Sequence, residues 1–174
     1  MDVNETESLQ DKHLHCVMAI TITIPGWRAL NLAHLVLDYN GTLALDGRPL
    51  VGVESRLQEL ARQLEIHVLT ADTFGRAQAE LAGFQCKLIV LQLGNEHSQK
   101  ADYIERLGPE VTAAIGNGRN DREMLARAAL AIAVLGAEGL AAETLAAADI
   151  VVPDPVSALD LLLHPQRIVA TLRS

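Results

Sequence analysis

The stretch Leu35-Val36-Leu37-Asp38-Tyr39-Asn40-Gly41-Thr42 decides the reading of this chain. Three aliphatic side chains follow one another with no polar residue between them. That pattern suits a strand covered on both faces, as strands of a parallel sheet are. The run stops at an acid, and the polar Asn40-Gly41-Thr42 behind it reads as a turn. The same unit recurs downstream. Ile66-His67-Val68-Leu69-Thr70 is a strand that ends in Thr70-Ala71-Asp72, and residues 111–115 form a strand that runs into Gly116-Asn117-Gly118-Arg119-Asn120-Asp121. Residues 87–91, 130–134 and 150–152 are three further apolar runs of strand length.

Helical spacing fills the intervals. Leu57, Leu60, Ala61 and Leu64 share one face; Ala77, Leu81 and Ala82 fit a short helix closed by Gly83. Ala101, Ile104 and Leu107 fit a helix stopped by Gly108-Pro109, with Lys100 at its start. Further helices are expected through Met124 and Leu125 and over residues 140–147. Strands alternating with helices give an α/β fold: a doubly wound, Rossmann-like parallel sheet. Ahead of it, Ala19 to Ile24 alternates with period two, Pro25-Gly26-Trp27 is a turn, and Ala29-Leu30-Asn31-Leu32 continues, so an N-terminal β-hairpin is expected. Residues 1–17 are polar and aperiodic and read as a disordered tail before a single domain over 18–174, with Met18 an alternative start.

Composition narrows the function. The chain has 174 residues and a formal net charge of −8, which argues against a nucleic-acid binder relying on phosphate neutralisation. Aromatic residues are 3 %, too few for base-stacking platforms. Two cysteines, Cys16 and Cys86, make no disulfide framework and read as reduced thiols. The acidic opening Met1-Asp2-Val3-Asn4-Glu5 does not resemble a signal peptide, and the longest run without polar side chains, 128–137, is too short to span a membrane. A soluble, cytoplasmic protein is expected.

In open α/β sheets ligands bind at the carboxyl ends of the strands, near the point where strand order reverses. The three polar strand ends, at Asp38, Thr70 and 116–121, should therefore converge on one crevice, with helix N-termini behind two of them able to hold a phosphate. Gly116-x-Gly118 does not continue into a dinucleotide fingerprint, because Asp121 stands at its third glycine position. His13-Leu14-His15-Cys16 has metal-ligating side chains without a partner pattern, and His34, His67, His97 and His164 are scattered with no ligand spacing.

Asp38-x-x-Gly41-Thr42, then Thr70, Lys100 and Gly116-x-Gly118-x-Asn120-Asp121 resemble the four motifs of the haloacid dehalogenase (HAD) superfamily over residues 34–152. In spelling they are closest to the soluble P-type ATPase-like phosphatases. The resemblance implies a Mg²⁺-dependent phosphatase in which Asp38 attacks phosphorus and becomes an aspartyl phosphate. It implies that the Asn40 backbone carbonyl helps hold Mg²⁺, that Thr70 donates to a phosphoryl oxygen, and that a lysine neutralises the charge shared by Asp38 and phosphate. Of the three lysines, Lys12 lies in the tail and Lys87 starts a strand read as buried, at the wrong end of the sheet, which leaves Lys100. Asp38, Asn40, Asn117 and Asp121 are the implied metal set.

Two positions depart from the family pattern. Asn40 stands where the second aspartate of the first motif shuttles a proton, and Asn117 stands where the fourth motif supplies a Mg²⁺-binding aspartate. An amide cannot exchange a proton near neutral pH, so slow turnover is expected, or a phosphate- and Mg²⁺-binding module without turnover. The motif spacing leaves room for a flap at 43–50, with Asp46-Gly47 as its turn, but for no cap domain and no nucleotide-binding domain. An open site suits a bulky phosphorylated substrate or a lid from a neighbouring subunit in a homo-oligomer, and the hairpin is the candidate for that contact.

Overall fold

The strand that opens the sequence argument is the pivot of the sheet. A computed structural model describes residues 19–72 and 75–174. The expected tail, Met18, and the His13–Cys16 cluster lie outside the described residues. Strands β1 (Ile20–Thr23) and β2 (Ala29–Leu32) form the expected antiparallel hairpin. Strand β3 (His34–Asp38) follows after one residue. The flap is a two-residue hairpin of β4 (Ala44–Leu45) and β5 (Arg48–Pro49), with Asp46 at φ 52° and Gly47 at φ 76°. Two successive positive φ values match the twist of the strands they join.

The remaining elements alternate. They are α1 (Val53–Leu60), β6 (Glu65–Thr70), α2 (Ala77–Glu80), β7 (Lys87–Val90), α3 (Glu96–Leu107), β8 (Thr112–Gly116), α4 (Arg122–Arg127), β9 (Leu130–Val134), α5 (Ala142–Leu145) and β10 (Ile150–Val152). Two helices end the chain, α6 (Pro155–Leu163) and α7 (Pro165–Leu172). Residues 153–174 carried no expectation, yet α6 has an ordinary start signal: the Asp154 carboxylate accepts from the Ser157 backbone N–H at 2.8 Å, with Pro155 in the first turn.

The sheet is parallel, in the order β10-β9-β8-β3-β6-β7. Chain order runs outward from β3 in both directions, so the reversal falls between β3 and β8. Alternation along the strands splits the core. Leu35, Leu37, Ile66, Val68 and Ile115 face α1, α6 and the hairpin; Val36, Leu69, Ala114 and Ala131 face α3 and α4. Among the described residues no cap domain interrupts the motifs.

One expectation needs correcting. Strand β7 is an edge strand with no fully buried residue, and the Lys87 side chain is 66 % exposed, so Lys87 does not start a buried strand. The hairpin's apolar face, Ile20, Ile22, Leu30 and Leu32, is buried in the chain's own core, and β2 feeds into the start of β3, the end opposite Asp38. The other face of the hairpin, with Thr21, Thr23, Ala29 and Asn31, is exposed.

Candidate active site

Asp38 closes β3 and Gly116 closes β8, on either side of the reversal point. Lys100 reaches them from the second turn of α3. That helix begins a turn earlier than Lys100, at Glu96 behind Gly94-Asn95. The Lys100 Nζ lies 2.5 Å from Asp38 Oδ1 and 2.6 Å from Asp121 Oδ1. Lys100 and Asp121 are 1 % and 0 % exposed.

The fourth-motif loop wraps around Asp121. Its second oxygen, Oδ2, accepts from the backbone N–H groups of Asn117 at 3.0 Å and Gly118 at 2.9 Å. A Cβ at Gly116 would fall 2.6 Å from Asp121 Cγ, so only glycine lets this carboxylate fold back on the loop. Asn117 is held by two bonds. Its Oδ1 accepts from the Thr42 hydroxyl at 3.0 Å, and its Nδ2 donates to the Gly139 carbonyl at 2.9 Å. Gly41 is wedged against the same group: a Cβ there would lie 2.6 Å from Asn117 Nδ2 and 2.8 Å from a Glu138 carboxylate oxygen, and its φ is +80°.

Asp38, Lys100 and Asp121 are thus in direct contact, and Asn117 joins through Thr42 and Asp121. Asn40 lies two residues past Asp38, and its Oδ1 is buried with no hydrogen-bond partner among the described residues. Thr70 ends β6 next to β3, where Asp38 pairs with Leu69. The Thr70 hydroxyl accepts from the Asp72 backbone N–H at 2.9 Å, and Asp72 in turn caps α2 by accepting from Arg76 and Ala77. A cavity of about 370 Å³, lined by His97, Arg119, Asn120, Arg122, Glu123 and Glu143, lies beside this loop.

The electrostatics follow from two buried carboxylates sharing one ammonium. Burial first, then the Asp121 charge, push the Asp38 carboxyl up to about 7 against the pull of Lys100. Burial works against the Lys100 charge too, but Asp38 and Asp121 outweigh it and hold the amine above the usual lysine range.

Sequence reasoning missed three features. Thr42, quoted as part of a motif, is the residue that orients Asn117. The loop after β9, with Glu138 and Gly139, closes against the site; its place behind a strand's carboxyl end is the signal that could have found it. The third feature contradicts the expectation that the histidines are scattered. His34, Glu65 and His67 lie together at the opposite end of β3 and β6, with ligating atoms all within 4.8 Å of one another. Burial there pushes the His67 imidazole down to about 4, although Glu65 favours its charge.

The chain is 44 % identical over 84 residues to the uncharacterized protein MJ0073 of Methanocaldococcus jannaschii, a match covering 46 % of this chain and 90 % of that protein. The chain belongs to the same family as MJ0073. No protein-family model matches this MJ0073 relative. Solved structures agree on its architecture. A Streptomyces avermitilis protein described as a HAD family hydrolase superimposes with a TM-score of 0.57 at 20 % identity, covering 78 % of this chain and 87 % of that one. A Moraxella catarrhalis 3-deoxy-D-manno-octulosonate 8-phosphate phosphatase, solved with magnesium, phosphate and KDO, gives 0.64 at 16 % identity, covering 82 % and 94 %. A zinc-transporting PIB-type ATPase gives 0.57 at 21 % identity, covering 70 % of this chain and 20 % of the pump. This member of the MJ0073 family has the HAD-like fold.

Proposed function

We propose that the protein is a Mg²⁺-dependent phosphohydrolase working through an aspartyl phosphate on Asp38, and that Asn40 makes it slow. The observation that carries this reading is the Lys100 ammonium between Asp38 and Asp121, at 2.5 and 2.6 Å, in the crevice where strand order reverses. The lysine holds only one Asp38 oxygen, leaving the other for attack on phosphorus. The P–O bond to the leaving group then breaks. Water attacks the phosphoryl group next, releasing phosphate and restoring the Asp38 carboxylate. At each stage Lys100 balances charge that moves between carboxylate and phosphoryl oxygens, from a position fixed in advance by Asp121. Thr70 is the hydroxyl donor at the neighbouring strand end.

The residues fit Mg²⁺. The donors are hard oxygens, and the cluster has one more carboxylate than it has cations; burial first, and then that second carboxylate, holds the Asp38 carboxyl high. Asp38, the Asn40 carbonyl and the Asn117 amide oxygen would hold the ion. Asp121, whose oxygens meet Lys100 and two backbone N–H groups, supports these ligands from behind in this reading. Bound there, Mg²⁺ would neutralise the phosphoryl oxygens and keep Asp38 ionised.

Asn40 cannot hand a proton to the leaving group or take one from water. Its unpartnered Oδ1 supports one second reading, a module that binds Mg²⁺ and phosphate without turnover. One experiment separates the two. Beryllium trifluoride with Mg²⁺, a mimic of the aspartyl phosphate, should raise the melting temperature by mass action, and Asp38→Asn should abolish the rise. Mg²⁺-dependent turnover of an aryl phosphate alongside the shift supports the enzyme. A shift without turnover supports the module. A shift that survives Asp38→Asn places the phosphate site elsewhere. The protein must be intact by mass, because Asn40-Gly41 and Asn117-Gly118 are prone to deamidation to the acids under test.

A further inference from the structure

We propose that His34, Glu65 and His67 bind a divalent transition-metal ion of the zinc class, at the end of the sheet opposite Asp38. The site is built by strand register. In the parallel pairing of β3 with β6, His34 lies opposite Glu65 and Val36 opposite His67. Residues two apart on a strand share a face. His34, Glu65 and His67 therefore project toward α3, on the same side as Val36 and Leu69. Four residue steps of about 3.3 Å put His34 roughly 13 Å from Asp38 along β3. The cluster is separate from the phosphate crevice.

The distances suit a metal. Zinc bonds of about 2.0–2.1 Å in a tetrahedral shell place neighbouring donor atoms about 3.3 Å apart. His34 Nδ1 lies 3.2 Å from His67 Nε2. A Glu65 carboxylate oxygen lies 3.7 Å from His34 Nδ1, and the other lies 3.9 Å from His67 Nε2. Three donors near the corners of such a shell leave a fourth position for water, and two imidazoles with one carboxylate select zinc-like ions over Mg²⁺ or Ca²⁺.

The surroundings also fit. The Tyr103 hydroxyl of α3 lies 3.0 Å from His67 Nδ1, the outer-shell bond that fixes which imidazole nitrogen faces the metal. The Lys87 ammonium of β7 sits on the Glu65 carboxylate, a cation where the metal would bring one. Its side chain is 66 % exposed and can swing away. The His34 and Glu65 side chains are 20 % and 30 % exposed, which leaves the cluster open to solvent. A bound ion would tie β3 to β6, so its effect is expected on stability.

The test uses the full chain, stripped with a chelator and titrated with Co²⁺ as a coloured substitute for zinc, then with Zn²⁺. The expected result is an intense visible Co²⁺ band of a four-coordinate site, displaced by Zn²⁺, and a melting temperature that rises with Zn²⁺. His34→Gln and Glu65→Gln, both at part-exposed positions, should each weaken Co²⁺ binding by at least the about 10–100-fold that follows loss of an outer-shell partner. Asp38→Asn and the double substitution His13→Ala, His15→Ala should leave the band in place. Absence of a four-coordinate band would overturn the proposal. So would a band that ignores His34→Gln and Glu65→Gln, or one lost with His13 and His15.

Discussion

Strand β3 carries a charged cluster at each end, and the two are built on opposite plans. At its carboxyl end Lys100 is sealed between Asp38 and Asp121, with Lys100 1 % exposed. At its amino end Lys87 pairs with Glu65 from an edge strand, 66 % exposed. The first lysine is enclosed with more negative charge than it can neutralise. The second is a tether that water can replace. Buried ion pairs are dangerous to break because the remaining charge is stranded, whereas exposed pairs give little net stability. The same chemical pair therefore has opposite consequences at the two ends of one strand.

The largest effect that would test this contrast is catalytic. Asn40→Asp restores a proton carrier beside Asp38 without changing the backbone carbonyl. Turnover of an alkyl phosphate should rise by about 10²–10⁴-fold, and turnover of an aryl phosphate, whose leaving group needs little protonation, by much less. Steady-state kinetics on both substrates measure the difference, and equal gains would show that protonation is not what Asn40 limits. Next in size is Lys100→Met, which strands two buried carboxylates and should destabilise the fold by about 3–5 kcal/mol in urea titrations. A loss below about 1 kcal/mol would mean the carboxylates simply take up protons, and the comparison would fail at its buried end. Smallest is Lys87→Met, expected to change stability by about 0–1 kcal/mol in the metal-free protein. A larger loss would show that the amino-end pair is structural after all.

Legibility in the sequence follows the same division. The carboxyl-end site was readable because its residues sit in short local motifs. Asp38 with Gly41 and Thr42, and Gly116 through Asp121, are strand ends with their turns, and sheet topology obliges such ends to meet at the reversal point. Lys100 could be chosen because the other two lysines were badly placed, although its helix starts a turn earlier than the apolar spacing suggested. Thr42's bond to Asn117 and the closure of Gly139 against the same amide were not readable, since both join loops far apart in the chain.

The amino-end cluster left no trace in the sequence. His34, Glu65, His67, Lys87 and Tyr103 share no spacing, and they meet only because β3, β6 and β7 lie side by side in one register with α3 across them. A one-residue shift of a strand in that register would turn its members of the cluster to the other face of the sheet. By itself the sequence determined the alternation of strands and helices, the doubly wound sheet, and the polar strand ends, because periodicity and turn chemistry act over a few residues. Only the tertiary structure decided which strands are neighbours, which residue stands opposite which, and which loops close on the site, because those depend on how the whole core packs.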